Sequence, residues 1–246
     1  MSEPATRAPA APLWLARHGE SAGNVAATRA ELAGEERLAI ETRDADTPLT
    51  EAGREQAAAL GEWLAERQPV PAIWCSPYLR ARDTAALACA RAGFPAELHV
   101  DDRLRDRELG ILDLLSSHGV QARFPEEAER RLRLGKFWYR PPGGESWADV
   151  ALRLRSVLPE ITASGRPTLI VAHDVVVSLI VYVLCGMSEA EILEAVACRP
   201  VGNATVTTLL PEGDGWRVAG FADTAHLHAD DAPVTVHQED PHADVL

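Results

Sequence analysis

Positive charge is scarce in this sequence: 24 Lys and Arg stand against 37 Asp and Glu in 246 residues, a formal net charge of −13. A chain this acidic gains nothing by displacing counterions from a phosphate backbone, so nucleic acid is not expected as its main partner. Any phosphate it handles must be held by local cations and not by the global field. Cysteine is equally sparse. Cys75, Cys89, Cys185 and Cys198 form no CxxC pair and read as buried thiols of a reducing compartment. Aromatics make up 5% of the chain, yet 46% of it is apolar and 25% charged, which fits neither a collagen-like nor a wholly disordered polymer. A long hydrophobic run is missing too. The nearest approach, TLIVAHDVVVSLIVYVLCGM from Thr168 to Met187, is broken by His173 and Asp174 into a strand and a helix too short to cross a bilayer. The opening MSEPATRAPAAP has no basic stretch before an apolar run, unlike a secretory signal. A cytoplasmic protein with no membrane partner is expected.

What is present is enough chain for one large core. Residues 1–11 are Ala/Pro-rich and read as a disordered tail, 12–225 as the catalytic domain, and 226–246 as a loose polar C-terminal tail. Short apolar runs at PLWLA (12–16), PAIWC (71–75), 98–100 and 169–172 predict strands. Helices are predicted from Ser21, from Thr50 as N-cap, over 78–92 with Ser76 as cap, over 121–133 as a solvent-facing helix, over 145–161 and over 175–184. Segments 204–210 and 216–221 flank the turn EGDG and predict a hairpin. There is no internal repeat. The alternation predicts an α/β fold: a three-layer α/β/α sandwich whose sheet is mainly parallel, with an antiparallel edge near the C-terminus.

In such sheets the ligand site lies beyond the C-terminal ends of the strands. Three of those ends carry chemistry here. PLWLA runs into Arg17-His18-Gly19-Glu20-Ser21, PAIWC into Ser76-Pro77-Tyr78-Leu79-Arg80-Ala81, and TLIVA into His173-Asp174. Two guanidinium forks suit phosphate oxygens, and two imidazoles suit nucleophilic or acid–base work near neutral pH. Gly19 allows close backbone approach, and a helix starting near Ser21 aims its N–H groups at an anion. Read singly, each has a plainer meaning: Arg80 pairing with Asp83 on a helix surface, His173 as a satisfied core histidine, Glu20 as a helix-start carboxylate.

RHGES with Asn24 resembles the RHG signature of the histidine phosphatase superfamily, the phosphoglycerate-mutase-like proteins. The run TPLTEAGREQA (47–57) is similar to that family's L-T-x-x-G-x-x-Q-A segment, and SPYLRARDTA (76–85) to its S-P-x-x-R-A-x-x-T-A segment. PGGES (142–146) and His173 fall where the family has a G-E-S turn and a second histidine. Five ordered segments over roughly residues 12–222 make the resemblance specific. It implies that His18 attacks phosphorus and becomes phosphohistidine. Arg17, Arg80 and His173 would hold the phosphoryl oxygens, and Asn24 would add a neutral donor. No metal and no cofactor is implied, and the partner is a small phosphorylated substrate.

A carboxyl group is needed to protonate the leaving alcohol and then to activate water. The family pattern L-R-E-x-x-x-G reads here as LRDRELG, with Asp106 in the acid's place and one methylene shorter. Glu108, two residues on, and Asp174, by analogy with a branch that draws its acid from a His-Asp pair, remain alternatives to Asp106. Glu145 and Ser146 read as a helix-start turn. The histidines at 226, 228, 237 and 242 form a weak metal pattern that is not adopted. The mutase members resemble one another in an F-x-G-W-x-D run and in basic residues after the acid. This chain lacks that run and offers only Arg123 nearby. The expected activity is therefore phosphomonoester hydrolysis, with mutase transfer or non-catalytic phospholigand binding as alternatives. Specificity is expected from 24–46 and 110–139. The oligomeric state and the physiological substrate are not readable.

Overall fold

The computed structural model describes residues 11–95 and 97–237. The expected tail over 1–11 lies almost wholly outside the described residues. In chain order the elements are β1 (Leu13–Arg17), α1 (Ala22–Ala33), α2 (Glu51–Ala65), β2 (Ala72–Cys75), α3 (Leu79–Ala92) and β3 (Leu98–Val100). They continue with α4 (Ser117–Arg123), α5 (Pro125–Trp138), α6 (Trp147–Ala163), β4 (Thr168–Ala172), α7 (Asp174–Leu184) and α8 (Glu189–Cys198). The described chain closes with β5 (Val206–Glu212), β6 (Gly215–Asp223) and the short α9 (Ala225–Ala229).

The sheet order is β3-β2-β4-β1-β5-β6. Strands β3, β2, β4 and β1 are mutually parallel, while β5 and β6 add the antiparallel edge. Alternation along the strands divides the core between the two faces of the sheet. Leu13, Leu15, Ile170 and Ala172 face the α6/α7/α8 side with Leu154, Leu158 and Ile180. Ala16, Leu169, Val171 and Ile73 face the α2/α3 side with Leu60, Ala85 and Cys89. This is the α/β sandwich that the strand–helix alternation predicts.

Register sets the positions of the strand ends. Arg17 pairs with Ala172, and Cys75 pairs with Val171. The ladder runs one step further: the His18 amide donates to the Ala172 carbonyl at 2.9 Å and the Ser76 amide to the Val171 carbonyl at 3.0 Å. The residues that follow three separate strands therefore stand side by side at one edge.

Four local expectations are corrected. Ser76 does not cap α3; Tyr78 is the N-cap residue, without a side-chain cap bond. The Ser76 hydroxyl instead accepts from the Tyr78 amide and meets His173. The helix expected over 121–133 is two helices broken at Phe124, where Pro125 restarts the chain, and Glu127 and Arg131 on it are buried. Helix α8, capped by Ser188 with Glu191 at N3, was not anticipated. Finally, residues 226–237 are not loose. Leu227 and Ala232 pack with Ala59 and Ala204, and the Gln56 amide donates to the Pro233 carbonyl at 2.8 Å.

Candidate active site

His18, Ser76, Arg80 and His173 sit at strand-to-helix junctions. His18 follows β1, and Ser21 caps α1 in a capping box whose N3 residue is Asn24. Ser76 follows β2, and Arg80 lies in the first turn of α3. His173 follows β4 and is the N-cap residue of α7. Helices α1 and α7 thus begin at the site and direct positive dipole ends toward it.

The second motif explains itself as a cradle for the first. A Cβ on Gly19 would lie 2.4 Å from the Gly53 carbonyl oxygen, and one on Gly53 would lie 2.0 Å from that of Glu20. Only two glycines permit this backbone crossing. The Gln56 side-chain carbonyl accepts from the Glu20 amide at 2.8 Å, and the Thr50 hydroxyl donates to the Glu20 carboxylate at 2.7 Å. Glu20 accordingly belongs to the support of the loop.

His18 is fully buried, and its tautomer follows from its neighbours. Nδ1 lies 2.7 Å from the Gly19 carbonyl, which can only accept, so Nδ1 carries the proton. Nε2 then holds the lone pair, and it accepts from Arg80 Nε at 3.2 Å. The His173 ring centroid is 5.2 Å away. Its Nδ1 faces Asp106 Oδ2 at 3.1 Å and its Nε2 meets Ser76 Oγ at 2.8 Å.

Arg80 joins these groups. Its Nη2 donates to Asp106 Oδ2 at 3.0 Å, and its guanidinium lies over the Tyr78 ring at 4.9 Å. A carboxylate that sequence reasoning missed, Asp44, takes the outer fork: Oδ1 and Oδ2 accept from Nη1 and Nη2, each at 3.1 Å. Asp44 lies in a 3-10 turn (Asp44–Asp46) of the 24–46 segment from which specificity is expected. Arg80 does not pair with Asp83. Arg17 is buried and donates from Nη1 to the Val201 carbonyl at 2.8 Å. Asn24 accepts at Oδ1 from the Ser21 amide and from Asn203 Nδ2, both at 3.1 Å, which orients Nδ2 as its donor face. Asn203 lies on the 201–205 connection behind His18, which no motif flagged.

The three candidate carboxyls occupy different places. Asp106 contacts both Arg80 and His173, while its Oδ1 accepts from the Arg107 amide at 2.7 Å. Glu108 is one layer out, accepting from the Tyr78 hydroxyl at 3.1 Å. Asp174 opens α7, where its carboxylate accepts from the Val175 amide. Glu145 does not line the cavity. It binds Arg105 and Arg153, and Arg153 donates to the Asp106 carbonyl at 3.0 Å, so it fastens the segment that carries Asp106. Burial first, and then Asp106, Glu108 and Asp44, push the Tyr78 hydroxyl far above its ordinary pKa.

No group of three or more His, Cys, Asp or Glu able to hold a metal occurs among the described residues. Of the C-terminal histidines, His226 donates to the Ala204 carbonyl at 2.9 Å and His237 meets Glu20, while His242 lies outside the described residues. No helix of the described residues is long and apolar enough to cross a membrane.

The sequence model of the histidine phosphatase superfamily (branch 1) matches residues 13–224. The chain is 36% identical to the glucosyl-3-phosphoglycerate phosphatase of Mycobacterium tuberculosis over 174 residues, 67% of this chain and 74% of that protein. It is 34% identical to the 2,3-bisphosphoglycerate-dependent phosphoglycerate mutase 2 of Gloeobacter violaceus over 197 residues, 77% of this chain and 83% of that one. It is also 30% identical to the 6-phosphofructo-2-kinase/fructose-2,6-bisphosphatase of Caenorhabditis elegans over 167 residues, spanning only 32% of that longer protein. The solved structure of a mycobacterial glucosyl-3-phosphoglycerate phosphatase with VO3 superposes with a TM-score of 0.66 at 31% identity, over 86% of this chain and 99% of that one.

Proposed function

Because the chain belongs to the histidine phosphatase superfamily, branch 1, we propose that it hydrolyses phosphate monoesters through a phosphohistidine on His18, with residues 12–225 as the catalytic domain and an intracellular, cytoplasmic setting. The observation that carries this reading is the His18 tautomer. With Nδ1–H committed to the Gly19 carbonyl, the lone pair of Nε2 sits beside the Arg80 guanidinium, where a phosphoryl group would be received.

In the first step Nε2 forms a bond to phosphorus as the ester P–O bond breaks. Arg17, Arg80, His173 and the Asn24 amide stabilise the charge on the phosphoryl oxygens. Asp106 protonates the departing alcohol. In the second step water attacks phosphorus, Asp106 takes its proton, and the P–N bond breaks. Asp106 is placed for this exchange because it lies between Arg80 and His173, at the edge of the position a phosphoryl group would take. Asp106 is supported over Glu108 and Asp174 by its simultaneous contact with Arg80 and His173.

The experiment is turnover of p-nitrophenyl phosphate and 3-phosphoglycerate by the full chain and by His18→Ala. Hydrolysis that vanishes in the variant, together with acid-labile phosphate captured on the wild type, is expected. Mutase turnover exceeding hydrolysis would reverse the reading toward transfer, and a chain that captures no phosphate is a binder.

A further inference from the structure

In front of the phosphoryl site the protein opens a cavity of about 500 Å3, and the charge on its walls runs opposite to that of the phosphate pocket. Glu31, Glu41, Asp44, Glu108 and Asp113 line it beyond Asp106. Against them the lining offers Arg80, which the phosphate itself engages, Arg43 and Arg107. Arg43 is tied to Asp46 at 2.7 Å, and Arg107 is largely buried. The remaining wall is apolar, with Leu38, Ile40, Leu109 and Leu114.

Resting on the phosphatase reading, we propose that the substrate is a phosphomonoester whose alcohol bears no second negative charge, is neutral or cationic, and presents apolar surface to this wall. Once the phosphate is seated on His18 and Arg80, the alcohol must extend into this cavity. A carboxylate or a second phosphate there would approach Asp44, Glu108 and Asp113 on a wall where six carboxylates, Asp106 included, outnumber three arginines. Within a cleft of restricted water, such like-charge contacts are felt more strongly than in bulk solvent. A neutral alcohol avoids the repulsion and buries carbon against Leu38 and Ile40. The same negative field acts on groups at the rim. The Asp113 carboxyl is held above its usual range by partial burial first, then by Asp44, with Glu108 adding to the effect.

Paired substrates of matched shape test this. Values of kcat/KM are compared at low ionic strength for glycerol 3-phosphate against 3-phosphoglycerate, and for phenyl phosphate against 4-carboxyphenyl phosphate. The uncharged alcohol is expected to be favoured at least about tenfold in each pair. In the Glu41→Gln/Asp113→Asn double variant the gap should narrow several-fold through faster turnover of the anionic member, and added salt should narrow it in the wild type. Equal or reversed preference in the wild type overturns the proposal. So does a gap that the double variant, checked as folded by its melting curve, leaves unchanged. If none of the four is hydrolysed and His18 captures no acid-labile phosphate, the phosphatase reading falls, and this inference with it.

Discussion

At the scale of single residues, the division of labour we propose between His18 and Asp106 gives a sharp expectation. Asp106→Asn keeps the shape but only one acceptor oxygen, so it retains at most one of the bonds from Arg80 and the Arg107 amide, and it cannot carry the proton. Its kcat on an alkyl phosphate should fall by about 10² to 10⁴, the usual worth of a general acid–base. The loss on p-nitrophenyl phosphate should be smaller, because that leaving group departs without protonation. Glu108→Gln, one layer out on Tyr78, should lose less than about tenfold on either substrate. Steady-state rates on the two substrates check both statements, and a larger loss in Glu108→Gln than in Asp106→Asn on the alkyl phosphate would move the acid to Glu108. These residues were legible unevenly. The spacing LRDRELG brought both carboxyls into view and put Asp106 in the acid's place; its contacts with Arg80 and His173 support that preference. Ser76 was visible only as a cap, because a serine before proline at a helix start is the ordinary N-cap signature, and its bond to His173 spans 97 residues of chain.

At the scale of elements, the 3-10 turn that carries Asp44 competes with substrate. Its carboxylate sits on the outer fork of Arg80, which a phosphate must displace. Asp44→Asn removes this charge, so inorganic phosphate and vanadate should inhibit about three- to tenfold more tightly; inhibition constants measured against p-nitrophenyl phosphate decide this, and unchanged values would count against the competition. The segment looked like a surface loop in sequence because its charges have no periodicity, and nothing local says that Asp44 folds back onto Arg80. The opposite holds for α2. There the Thr50 cap, Gly53 and Gln56 were legible as a motif, while their purpose was not. Gly53→Ala would drive a methyl group into the Glu20 carbonyl. Backbone must yield, at a cost of about 1–3 kcal/mol. A lower melting temperature, accompanied by a drop in kcat as the His18 loop shifts, is the expected outcome.

Across the whole molecule, the sandwich architecture was readable because alternating apolar runs and helical periods are local signals, as in β1, β2 and β4. What was not readable was closure. Residues 226–237 intersperse His226, His228, Asp230, Asp231 and His237 among their apolar residues without a helical or strand period, so the pattern alone described a tail, yet Gln56 and Glu20 hold them against the body. His226 anchors this closure from a buried position. Burial, first of all, holds its imidazole below the ordinary value, against an opposing bond to the Ala204 carbonyl. The neutral ring is therefore the folded form. Its contribution is complete above the ordinary imidazole value, about 6.5, and is lost as pH falls through the depressed one. His226→Gln can still donate to Ala204 but cannot titrate. Its melting temperature should drop less than that of the wild type between about pH 7.5 and about pH 5. Parallel thermal melts at the two values check the sign.

The pairing of β1 with β4 also governs when activity can arise during synthesis. A nascent chain that has emerged through α6 already contains His18, Arg80 and Asp106, but it lacks the strand that stands between β1 and β2. His18 and Arg80 belong to pieces that have no common scaffold at that stage. Catalytic competence therefore arrives abruptly, on insertion of the central strand, and a ribosome stalled before residue 168 would hold a polypeptide unable to take up phosphate.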